Sequence, residues 1–336
     1  MCEYKLKDRF LQKKYLEDAS EKSTLEKYSR HIVYLYKYIS KKKNIDIADE
    51  EKILKSVTKL DIEELRNYML NEEDVGLEIE GNRHSSVSRI NTLTTALRQF
   101  SSYLYTLGVI DNNFMDGMKA IKYNKKNDNM KKKKTIDYLT FEEAQELLKV
   151  TYSKEYASKG GEFKKARTRC LISLLATTGQ RINSILSVTM DMIEKKDDCY
   201  IISIPDTITK CKIPVRVPIA NKTLEYFNKY IEERNKLKYI SKENYLIVTS
   251  QGKRHNANNT NKEIKQLCKL AGIEKHFTNH NMRKYFRSQL TFNNVNENLI
   301  KLIGGWKNDD AMAEIYVNDD NSDKFNKQKI EVCNII

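Results

Sequence analysis

The chain has 336 residues, 40% of them hydrophobic, and 60 Lys and Arg against 46 Asp and Glu leave a formal net charge of +14. That apolar content excludes wholesale disorder, and so large a positive surplus points to a polyanion, either nucleic acid or an acidic membrane surface. No apolar run approaches the roughly 18 residues of a membrane span, and the basic first twenty residues lead into no apolar stretch; a signal peptide and a transmembrane helix are excluded, and a soluble cytoplasmic protein is expected. Only 14 of the basic residues are Arg, and the remaining Lys, with many Asn, Ile and Tyr, is also what an A/T-rich genome encodes. The few Arg are therefore the more telling basic residues. Six cysteines lie scattered without a C-x-x-C pair, as reduced ordinary thiols do; they form neither a disulfide frame nor a zinc site.

The length predicts two domains. From Thr24, the apolar residues Leu25, Tyr28, Ile32, Leu35 and Ile39 recur at three and four residues and predict an amphipathic helix. A second starts at Asp61, and a third runs from Ser86 through Ile90, Leu93, Leu97, Phe100 and Leu104 to a stop at Gly108. Residues 1–124 thus read as a helical domain. Residues 125–136 are a Lys-rich stretch without apolar periodicity, read as an extended linker in which Lys131, Lys132, Lys133 and Lys134 meet nucleic-acid backbone.

Thr140-Phe141-Glu142-Glu143 is a capping box and opens the second domain, residues 137–321. Helices are expected near 165–176, 180–187, 221–235, 260–271 and 278–291. The only three prolines, Pro205, Pro214 and Pro218, are flanked by two β-branched runs, 200–204 and 215–219, which predict a hairpin. The fold class is mainly α: a helical N-terminal domain and a mostly helical second domain with a small sheet. Past it, residues 322–336 carry Phe325, Ile330, Val332, Cys333, Ile335 and Ile336, too apolar for water and too short for a core, so they are expected to dock on a catalytic domain.

No phosphate-binding loop, dinucleotide fingerprint or paired-carboxylate motif stands out. In the second domain, Gly179 ends a helix and Arg181 is expected in the first turn of the next, where free N–H groups would join a guanidinium around a phosphate. His280 and Arg283 share one helix face at i and i+3. His276 and His280 have metal spacing but no third ligand nearby, so no metal is expected. Lys210 and Lys212 sit at the hairpin turn, and Trp306, the only Trp, follows Gly304-Gly305.

Taken in order, Arg181, Lys210, His280-x-x-Arg283, Gly304-Gly305-Trp306 and Tyr316 resemble the tyrosine recombinase (phage integrase) family, and the Gly-Gly-Trp form is most like its Cre-type members. The lead-in Ala176–Ile182 and the hairpin end Arg216–Ile219 match as well. The pattern Ser86-Val87-Ser88-Arg89-Ile90, with Leu97-Arg98 and Gly108-Val109-Ile110, is similar to the family's core-binding domain and makes Arg89 and Arg98 candidate DNA contacts. Two departures stand out. Ser184 occupies a place where the family commonly has a carboxylate, and the Trp306–Tyr316 interval is one residue longer than usual.

The resemblance implies a site-specific recombinase acting on double-stranded DNA at specific recombination sites, with no cofactor. Tyr316 would attack the scissile phosphate to give a 3′-phosphotyrosyl link. Arg181 and Arg283 would clamp the non-bridging oxygens, and Lys210 (or Lys212) would protonate the leaving 5′-oxygen. His280 would serve as acid, base or phosphate donor, and Trp306 as an N–H donor or packing wall. A homotetramer on two DNA sites, passing through a Holliday junction and associated with the nucleoid when bound, is implied too. The alternatives are a type IB topoisomerase, a telomere resolvase, or a DNA-binding protein of this fold with weak or lost catalysis.

Overall fold

The computed structural model describes residues 4–18, 21–70, 86–122, 139–157, 161–196 and 199–306. The chain separates into two units, Met1–Met130 and Lys131–Ile336. The predicted linker, the tail beyond Trp306 and Tyr316 itself lie outside the described residues.

In the first unit the helices are α1 (Lys5–Leu16), α2 (Lys22–Lys43), α3 (Glu50–Ser56), α4 (Lys59–Leu70) and α5 (Val87–Thr106). The apolar stripe of α2 is buried at Ile32, Leu35 and Ile39, and it meets Leu93, Leu97, Phe100 and Leu104 of α5. Each such side chain contributes about 1.5–3 kcal/mol of transfer free energy. The Ser86 hydroxyl caps α5 by accepting from the Arg89 N–H at 3.3 Å, and Gly108 beyond its end has φ +67°.

Two helices here escape the periodicity reading, and buried carboxylates explain one of them. The basic α1 buries only Phe10; its first turn is held by Glu50 of α3, which accepts from the backbone N–H of Leu6 (2.9 Å) and Lys7 (3.0 Å) and from the Tyr36 hydroxyl (2.7 Å). Asp61 binds Lys42, Lys43 and Thr58; against the upward pull of burial, these partners hold its carboxyl down at about 2.

The second unit runs α6 (Phe141–Val150), α7 (Lys154–Ala157), α8 (Gly161–Thr178) and α9 (Ile182–Ser187). After β1 (Ile193–Lys196), β2 (Cys199–Ile204) and β3 (Val215–Ile219) come α10 (Asn221–Asn235), α11 (Ala257–Leu270), α12 (Asn279–Phe292) and α13 (Glu297–Gly304). The capping box forms at α6: Thr140 N–H donates to Glu143 at 2.8 Å and the Glu143 N–H to the Thr140 hydroxyl at 3.2 Å. From Ala166 to Thr178, α8 is buried on every face, so it is the axis on which α10 and α12 pack. Several of its polar side chains are paired inside: Arg167 pairs with Glu263 of α11, and Thr168 bonds the Tyr156 hydroxyl at 2.8 Å.

The expected hairpin is β2–β3, antiparallel with Ile202 opposite Val217. Pro218 sits in β3, an edge strand of the sheet order β1-β2-β3, where a missing N–H is tolerated. Strand β1 was not expected, because its Glu194-Lys195-Lys196 carries no apolar alternation. The molecule is mainly helical with one small antiparallel sheet, the predicted fold class. No described helix is long and apolar enough to cross a membrane.

Candidate active site

Three chain turns, brought together by packing on α8, build the site. At the end of α8 the Thr178 hydroxyl donates to Leu174 O (2.6 Å), Gly179 turns left-handed at φ +60°, and buried Gln180 follows. Gln180 Nε2 donates to Ile303 O at 2.5 Å, tying this turn to the end of α13. Arg181 corrects the sequence expectation. It is the N-cap of α9, not part of its first turn, because its extended backbone (φ −69°, ψ 140°) delays the helix to Ile182.

Helix α12 supplies the second turn. Thr278 and Asn281 form a reciprocal cap, which sets His280 in the first turn and Arg283 one turn on. His280 is exposed, whereas Arg283 is 5% exposed. The Arg283 Nη1 donates to Gly179 O at 2.6 Å and to Gly304 O, so the guanidinium bolts the Arg181 turn to the end of α13. Its Nη2 is buried and has no hydrogen-bond partner.

The third turn is Gly304-Gly305-Trp306. Gly305 takes the left-handed conformation (φ +64°) that ends α13 and lets the Trp306 N–H return to Lys301 O at 2.9 Å. The indole then folds over Gly304, where a Cβ would fall inside the ring. So placed, Trp306 stacks on Phe286 (6.2 Å between centroids) and covers the Arg283 guanidinium at 3.6 Å. Gly304→Ala is therefore expected to expel the indole while leaving α13 intact, since Ala is about 1 kcal/mol better than Gly inside a helix. Emission from this single Trp should shift to the red with little loss of thermal stability; an unshifted spectrum would disprove the close packing.

The connection between β2 and β3 brings in the hairpin turn. Thr209 staples it, its hydroxyl donating to Ile213 O (2.8 Å) and accepting from Ile213 N–H (3.1 Å). Cys211 then points its sulfur at Arg181 Nη2, 3.5 Å away, while Lys210 and Lys212 on either side are exposed, Lys212 with φ +56°.

Charge is concentrated here. Burial first, then the neighbouring Arg181, brings Arg283 down to about 9, still cationic at neutral pH. Burial, Lys284, Arg283 and Arg181 lower His280, so its imidazole is neutral near pH 7. No ion pair joins Arg181, His280 or Arg283 to a carboxylate among the described residues. Two guanidiniums and a neutral imidazole with no internal counter-charge form a receptor for an oxyanion.

Arg181, His280, Arg283 and Trp306 thus come together, with the turn carrying Lys210 reaching them through Cys211. Tyr316, Lys131, Lys132, Lys133 and Lys134 lie outside the described residues. Arg89 and Arg98 belong to the first unit, where Arg98 donates to Met118 O at 2.6 Å. Ser184 is buried in α9. Sequence reasoning gave no role to Gln180, Thr209 or Cys211; only their places inside otherwise recognised motifs marked them.

The family model described as Phage integrase family matches residues 137–323, more than half of the chain. The tyrosine recombinase XerD of Oceanobacillus iheyensis is 22% identical over 303 residues, 90% of this chain and 89% of its own. The fold is that of the XerH site-specific recombinase in a post-cleavage complex with palindromic difH substrate (TM-score 0.62, 18% identity, 94% of this chain and 81% of that one). It is equally that of a lambda integrase tetramer bound to a Holliday junction (TM-score 0.56, 16% identity, 93% and 76%).

Proposed function

The chain belongs to the phage integrase family and is a tyrosine recombinase, and from that premise we propose that it cuts and rejoins duplex DNA at specific sites through a 3′-phosphotyrosyl intermediate. The observation that carries this reading is Arg283: a buried guanidinium beside Arg181, with Nη2 lacking a partner and no carboxylate bound. Such a group is stabilised when a phosphate enters and most when negative charge builds on the non-bridging oxygens.

The Tyr316 phenol oxygen attacks phosphorus, and the bond to the 5′-oxygen breaks. His280, neutral near pH 7, takes the phenolic proton. Lys210, on the exposed hairpin turn, gives a proton to the departing 5′-oxygen. Religation reverses each step with a new 5′-hydroxyl. Two DNA sites held by four copies, exchanging strands through a Holliday junction, complete the reaction. In that assembly, residues 322–336 dock on a neighbouring copy, and Lys131, Lys132, Lys133 and Lys134 lie along the backbone.

Trapping tests the reading. On a nicked duplex that cannot religate, the protein should form a covalent adduct that survives denaturation, with the DNA on the peptide containing Tyr316. No adduct on any duplex that the protein binds specifically would favour a DNA-binding protein of this fold without catalysis. The proton donor is separable: Lys210→Ala should regain cleavage on a substrate with sulfur at the 5′-bridging position, because a thiolate leaves unprotonated. Arg181→Ala should not. Rescue of Lys212→Ala in its place would move the acid to that residue.

A further inference from the structure

The turn that joins β2 to β3 is closed by its own bonds. Ile208 N–H donates to Pro205 O at 3.1 Å, Thr209 N–H to Asp206 O at 3.1 Å and Lys212 N–H to Thr209 O at 3.3 Å. The buried Thr209 hydroxyl, bonded to both the N–H and the carbonyl of Ile213, seals its base. Such a turn keeps its shape, but internal bonds do not place its tip relative to the phosphate receptor. Cys211 does that: its half-buried sulfur accepts from Arg181 Nη2 at 3.5 Å, within the reach of a sulfur acceptor. Against the lowering by burial and by Arg181, the same sulfur helps Arg283 keep its proton, so it lies beside both guanidiniums. Lys210, its neighbour in the chain, is exposed, and a four-carbon stem alone leaves an ammonium many positions. The backbone of Lys210 is held on one side by the Thr209 staple and on the other by Cys211.

We propose that Cys211 is a positioning residue for the proton transfer: its bond to Arg181 registers the turn so that Lys210 faces the 5′-oxygen of the phosphate seated there. The proposal rests on the recombinase reading and deepens it. A guanidinium carries five N–H donors, so one given to sulfur leaves others for the non-bridging oxygens, and the tie can stand while the phosphate is bound. Arg181 then has two tasks, binding the phosphate and registering the acid against it. In Cys211→Ala the Thr209 closure stays, so the turn keeps its fold and only the register of Lys210 is lost. A general acid contributes about 10²- to 10⁴-fold, and a displacement of about 1 Å forfeits much of such a gain. Cys211→Ala is therefore expected to slow cleavage about tenfold at saturating DNA while leaving affinity unchanged.

A substrate with sulfur at the 5′-bridging position separates placement of the acid from everything else, because its leaving group needs no proton. Single-turnover adduct formation by the full chain is measured on the ordinary and on the bridging-sulfur nicked duplex. Parent and Cys211→Ala should differ about tenfold on the first and cleave the second alike. A variant slowed equally on both overturns the proposal, since the thiol would then serve Arg181 itself or the packing of the turn. Parental rates on both overturn it as well. The double variant Lys210→Ala, Cys211→Ala supplies a second measurement. It should cleave the ordinary duplex no more slowly than Lys210→Ala, because a thiol that acts through Lys210 has nothing left to place; losses that multiply overturn the proposal. A parent that forms no adduct on either duplex sinks the recombinase reading and this proposal with it, whereas the outcomes above, obtained with a parent that does form adducts, sink the proposal alone.

Discussion

Tyr316→Phe is expected to bind DNA as the parent does and to form no covalent adduct on a nicked duplex. The substitution removes one oxygen, the proposed nucleophile, and leaves ring volume and apolar surface almost unchanged. The electrostatic receptor of Arg181, Arg283 and His280 does not depend on that oxygen, so affinity and its salt dependence should be retained. Loss of the adduct without loss of binding therefore isolates the chemical step. An adduct of normal yield in the variant would remove Tyr316 from the role and point to another hydroxyl.

Arg283→Lys should be nearly as damaging, although it keeps the charge. A lysine carries its donors on one nitrogen, so an ammonium held at Gly179 O and Gly304 O has no second donor at the separate position of Nη2, and it loses the flat face that lies on Trp306. Cleavage is expected to fall by about 10²- to 10³-fold, the usual cost of removing one preorganised donor from a developing oxyanion. Stability should fall too, by about 2–4 kcal/mol, because charge-assisted bonds to buried carbonyls are worth about 1.5–3 kcal/mol each. Rate on the nicked substrate and thermal unfolding of the same preparation check both halves. A variant that cleaves at the parental rate would make Arg283 a structural bolt only. The two effects share a cause: the guanidinium that holds three turns together is also the one with a nitrogen left over.

The sequence by itself carried the helices with strong stripes, the capping box at Thr140 and the β2–β3 hairpin, because these depend on local periodicity and on residues a few positions apart. The order Arg181, His280, Arg283 and Trp306 along the chain was legible there too, since it is a pattern no folding is needed to see. Sequence alone could not deliver α1, whose first turn is capped by Glu50 more than forty residues away, nor β1, whose charged residues pair only because β2 is already there. It misplaced Arg181 by one turn position, since whether an extended residue starts or precedes a helix depends on how Gln180 is held by Ile303. The site itself was a tertiary decision. Burial of Arg283 among carbonyls from two other turns, the indole folded over Gly304 and the thiol of Cys211 against Arg181 arise from packing around α8, and no spacing rule reaches across such distances in the chain.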